Sequence, residues 1–79
     1  MKKSIYSDKH RKLCELLIEA RNCAGLTQQE LASQLRKPQS FIAKYEGGER
    51  RLDLVELIEI SSYLNLDLCA VIKELEGYI

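Results

Sequence analysis

The chain has no tryptophan and only one each of histidine, methionine, phenylalanine and proline in its 79 residues. One histidine and no glycine-rich phosphate loop leave little from which to build a catalytic centre in so short a chain. One proline and four glycines are too little punctuation for a β architecture of many short strands. The three cysteines, Cys14, Cys23 and Cys69, contain no Cys-x-x-Cys pair, unlike the dense, even sets of small secreted scaffolds. All three read as small apolar core residues in a reducing cytoplasm. With His10 as the sole imidazole, a zinc site lacks its ligands; no metal or cofactor is expected. Met1-Lys2-Lys3 leads into no apolar leader segment, and no apolar run approaches the roughly 20 residues that span a bilayer. The expectation is a soluble cytoplasmic protein, not an enzyme, with no membrane partner and no small-molecule ligand.

What is present is an ordinary globular share of apolar residues, 46%, too high for a disordered chain. The length fits one domain, residues 1–79, without repeat or linker. At this size a chain buries only roughly 60% of its unfolded surface, so oligomerisation is a reasonable supplement to a thin core. The net charge is zero, yet residues 1–51 hold 11 Lys and Arg against 6 Asp and Glu, a surplus of +5. Residues 52–79 hold Lys73 alone against 6 acids, a deficit of −5. A basic half joined to an acidic half suggests that one face meets a polyanion.

Helical periodicity dominates. Leu13, Leu16, Leu17, Ala20 and Ala24 recur at three- and four-residue spacing, which predicts a helix from Asp8 to Ala24. Asp8 can start it and Gly25 can end it in the left-handed conformation. Thr27-Gln28-Gln29-Glu30 is a capping box, opening a second helix with Leu31, Ala32 and Leu35 inward. Pro38 disfavours helix at the residue before it, so that helix must stop. A third helix at about 39–46 turns Ile42 and Tyr45 inward, and Gly47-Gly48 closes it. Asp53-Leu54-Val55-Glu56 caps a fourth, with Leu54, Leu57, Ile60, Ser61 and Leu64 on one stripe. Asn65 stops it, and Asp67 starts a fifth through about Leu75. The expected class is all-α.

Two short helices joined by a three- or four-residue turn, over about residues 27–46, have the layout of a helix-turn-helix. The runs Gly25-Leu26-Thr27-Gln28-Gln29-Glu30-Leu31-Ala32 and Pro38-Gln39-Ser40-Phe41-Ile42-Ala43-Lys44-Tyr45-Glu46-Gly47-Gly48-Glu49-Arg50 resemble the phage-repressor/Cro-type, or Xre, helix-turn-helix family. The later Leu54, Leu57, Ile60, Ser61, Leu64 and Leu66 fall in the same register, so the resemblance covers about residues 13–75. It implies a five-helix, lambda-repressor-like DNA-binding domain.

The third helix read on its own agrees. Gln39, Ser40, Ala43 and Lys44 share the face opposite Ile42 and Tyr45. Glutamine can pair with the N6/N7 edge of adenine and lysine can donate to O6/N7 of guanine in the major groove; a solvated polar face is the alternative. The resemblance implies that Gln39, Ser40 and Lys44 touch bases, with Ala43 beside them. It places Thr27 and Gln28, at the second helix's N-terminus, against a phosphate, where backbone N–H groups and the helix dipole favour an anion. Lys37 in the turn, and Arg50 and Arg51 after the glycine pair, are candidate phosphate contacts, which set affinity and register more than sequence preference; for Arg50 and Arg51 a solvated cation pair is the alternative. Lys2, Lys3, Lys9, Arg11 and Lys12 offer further steering or a merely solvated basic end. Arg21 and Glu46 are implied to form a largely buried ion pair between the first and third helices. Arg36 departs from the glycine usual at its position. Either it takes a left-handed conformation at about 1 kcal/mol, gaining another phosphate contact, or the turn differs.

Val55 and Ile58 on the fourth helix add to its stripe, and Leu68-Cys69-Ala70-Val71-Ile72 makes the fifth apolar nearly all round. Five short helices cannot cover that much apolar surface. Residues 53–76 are therefore expected to supply core and a twofold interface through Val55, Ile58, Cys69 and Ile72, with Tyr78 and Ile79 extending the patch or fraying. The function expected is a homodimeric transcriptional regulator on double-stranded, inverted-repeat operator DNA. The alternative is an antitoxin or other interaction module whose main partner is a protein.

Overall fold

The computed structural model describes residues 7–77. Lys2, Lys3, Tyr78 and Ile79, assigned above to steering and to the apolar patch, lie outside them. Five helices follow in order: α1 (Asp8–Cys23), α2 (Gln28–Leu35), α3 (Gln39–Glu46), α4 (Leu54–Leu64) and α5 (Leu68–Glu76). Among the described residues there is no strand. None of these helices is long and apolar enough to cross a membrane.

Local chemistry sets the boundaries. Thr27 opens α2 and Asp53 opens α4, each through a complete capping box. The box satisfies two otherwise orphaned N–H groups per helix. Asp67 accepts from Cys69 and Ala70 N–H at the start of α5. Ser7, not Asp8, caps α1: its hydroxyl accepts the His10 N–H at 3.1 Å, and Asp8 falls in the first turn. Gly25 and Gly48 supply the left-handed residues after α1 and α3, at φ 74° and 82°.

The core joins Leu17 of α1, Leu31 and Ala32 of α2, Phe41, Ile42 and Tyr45 of α3, and Ile60 and Leu64 of α4. Four sequence assignments change against this core. The buried side of α1 runs through Cys14, Leu17 and half-buried Arg21, whereas Ala24, beyond the last turn, is exposed. Leu54 is 66% exposed because no element covers that side of the first turn of α4. Cys14 alone of the cysteines is buried; Cys23 and Cys69 are exposed. Cys23 ends α1, and Cys69 sits on a side of α5 away from buried Val71.

Candidate nucleic-acid interface

The turn between α2 and α3 decides how the two helices sit. Arg36 adopts φ 59° and ψ 43°, in the left-handed region. Its N–H and that of Lys37 close the end of α2, with Lys37 donating to the Ala32 carbonyl at 2.9 Å. This six-to-one bond is the Schellman arrangement, so the turn keeps the shape a glycine would give it at a conformational cost of about 1 kcal/mol. Pro38 stands before the first turn of α3 without a side-chain cap.

That geometry divides α3 cleanly. Phe41, Ile42, Tyr45 and Glu46 are buried, while Gln39, Ser40, Ala43 and Lys44 are all exposed. The exposed four offer amide, hydroxyl, methyl and ammonium groups on one face. The buried four anchor it. Phe41 meets Tyr45 edge to face, with ring centroids 5.5 Å apart. Burial, reinforced by the neighbouring Glu46 charge, raises the Tyr45 phenol well above its ordinary pKa. Burial likewise raises the Cys14 thiol, whose Sγ donates to the Tyr45 carbonyl.

Arg21 and Glu46 lock α1 to α3. Arg21 Nε and Nη2 donate to the two carboxylate oxygens of Glu46 at 2.7 and 3.1 Å, and the side chains are only 12% and 5% exposed. Donating to the Glu46 carboxylate pushes the Arg21 guanidinium pKa further up. Arg21 Nη1 also donates to the Leu26 carbonyl at 2.8 Å, fixing the approach to α2. Gln28 Nε2 donates to Glu46 at 2.9 Å, and Gln39 Nε2 donates to Gln28 Oε1 at 3.2 Å. The start of α2, the start of α3 and the buried pair are thus joined side chain to side chain.

The other phosphate-contact candidates lie in different surroundings. Thr27 is exposed and engaged in its cap. Lys37 lies over the Phe41 ring, with Nζ 5.2 Å from the centroid, and the Arg50 guanidinium carbon lies 4.8 Å from it. Arg50 also makes a two-pronged ion pair with Glu56 at 3.0 and 2.9 Å. That pair holds the Glu56 carboxyl below its usual range. Arg51 is exposed, and its positive charge adds to burial in lowering the His10 imidazole. Arg36 borders a shallow depression with Glu59 and Tyr63, on the α4 side of the motif. Sequence reading missed Phe41 and Glu56 as organisers of this region. Glu56 was visible only as a cap, and its second role requires the loop to fold back.

Val55, Ile58 and Ile72 are 64%, 50% and 48% exposed, and Cys69 is exposed with them. No group of three or more His, Cys, Asp or Glu among the described residues is placed to hold a metal ion.

Comparison with known proteins matches residues 17–71 to a helix-turn-helix family. The chain is similar to a solved structure of an XRE-family like protein from Pseudomonas syringae pv. tomato str. DC3000, at 43% identity and a TM-score of 0.82. The match covers 89% of this chain and 85% of that one. No curated protein matches.

Proposed function

The chain belongs to the XRE-type helix-turn-helix family of DNA-binding regulators, and we propose from that premise that it is a sequence-specific transcriptional regulator binding operator DNA as a homodimer. The observation that carries this reading is α3 itself, with Gln39, Ser40, Ala43 and Lys44 exposed together over a buried and ion-paired reverse side. In the major groove, Gln39 and Lys44 donate to base edges, Ser40 bonds to either partner of a pair, and the Ala43 methyl packs against thymine. Thr27 and Gln28, at the positive end of α2, meet a phosphate. Lys37 and Arg51 neutralise others, while Arg36, beside Glu59, contributes least.

The exposed Val55, Ile58, Cys69 and Ile72 form the interface of the dimer, in the acidic half that DNA repels. Two copies of α3 then face successive major grooves about 34 Å apart. Selection of bound duplexes from a random pool tests the reading. The expected winner is an inverted repeat with half-sites about one helical turn apart. Recovery of no preferred sequence, together with a stable complex with a second protein, would instead support an interaction module using the same apolar side chains.

A further inference from the structure

We propose that Arg50 is a positioning residue, a clamp that fixes the loop carrying Arg51 against α3, and that its guanidinium does not bind phosphate. The inference rests on the DNA-binding reading above. Arg50 touches four parts of the fold at once. Its backbone N–H donates to the Lys44 carbonyl at 3.2 Å, at the end of α3. Its guanidinium lies over the Phe41 ring at 4.8 Å. Nη1 donates to the Arg51 carbonyl at 3.0 Å. Nη1 and Nη2 together grip Glu56. Glu56 is itself held, since Oε1 accepts the Asp53 N–H at 3.0 Å and its own N–H donates to Asp53 Oδ1 at 2.8 Å.

Three of the five guanidinium N–H donors are committed in this way, two of them to one carboxylate whose charge opposes that of Arg50. A phosphate drawing the guanidinium away would take it from Glu56 and from the Arg51 carbonyl, and so loosen the loop from α4. The stacking on Phe41 adds a second anchor, because arginine favours an aromatic face. Lys37 lies against the same ring at 5.2 Å. Phe41 and Arg50 therefore hold the turn before α3 and the loop after it in one fixed relation. The two phosphate-facing cations, Lys37 and Arg51, are carried on those two segments. Their spacing about α3 sets where the reading face lands on the base pairs.

Glu56→Gln separates the two roles, because they predict opposite effects. Glutamine can still complete the capping box, so α4 keeps its start while Arg50 loses its anion. Affinities for the selected site and for unrelated duplex are measured across a salt series with the wild-type protein and with Glu56→Gln and Arg50→Lys. If Arg50 is a clamp, both variants lose about tenfold in preference for the selected site, the size of one misplaced base contact, with an unchanged salt slope. If freeing Arg50 by Glu56→Gln tightens all duplexes alike and steepens the slope by about 1, Arg50 is a phosphate contact and the proposal fails. Wild-type protein that binds no duplex refutes the DNA reading itself. The clamp is then judged by hydrogen exchange at the amides of residues 48–53, which Glu56→Gln accelerates if the clamp exists and leaves unchanged if it does not.

Discussion

Arg21 shows how much one side chain can organise. It carries two bonds to Glu46 and one to the Leu26 carbonyl, and Glu46 is further held by Gln28. Arg21→Ala strands a carboxylate whose side chain is 5% exposed. Breaking a buried pair from one side costs about 3–5 kcal/mol, a large share of a small domain's stability. Denaturant unfolding should show that loss. A change below about 1 kcal/mol would mean that the pair behaves as an exposed one. The family resemblance implies this pair, but nothing in the sequence points to its further partners, the Leu26 carbonyl and Gln28. The cysteines show the opposite failure. Free cysteine is usually buried, yet Cys23 falls at the terminus of α1 and Cys69 on an uncovered side of α5, and position outweighs residue type.

At the scale of elements, caps and breakers were the readable part. Thr27, Asp53 and Asp67 start α2, α4 and α5 as their side chains dictate. Periodicity puts Leu54 on the inward stripe, yet Leu54 is exposed, because periodicity gives direction around a helix but not whether a neighbour lies there. Arg36 left two turn geometries open, and its φ of 59° decides between them. A residue with a Cβ held there carries strain that glycine does not. Arg36→Gly is therefore expected to stabilise the domain by up to about 1 kcal/mol, partly offset by the greater freedom of glycine in the unfolded chain. The denaturant midpoint should rise or hold. A marked fall would show that the Arg36 side chain, beside Glu59 and Tyr63, contributes more than its backbone costs.

At the scale of the whole molecule, residues 53–76 carry an apolar surplus legible in the sequence, and part of it stays exposed on the folded chain. With Leu54, Val55, Ile58, Tyr63 and Ile72 between 48% and 66% exposed, the proposed dimer makes a double prediction. Sedimentation should show self-association at micromolar concentration that Ile58→Glu abolishes, and alkylation of Cys69 should slow as concentration rises while Cys23 does not change. A monomer at high concentration with both thiols equally reactive would remove the twofold arrangement. The central claim, that α3 reads bases while its flanks hold the backbone, is tested most directly by one titration. Binding of Lys44→Ala and Arg51→Ala to the selected site and to unrelated duplex is followed across salt concentration. Lys44→Ala should cost about 1–3 kcal/mol on the selected site and much less elsewhere, with an unchanged salt slope. Arg51→Ala should weaken both duplexes alike and reduce the slope by about 1, the counterion release of one lost phosphate contact. Equal weakening of all sequences by Lys44→Ala, with a flattened slope, would contradict the placement of α3 in the groove.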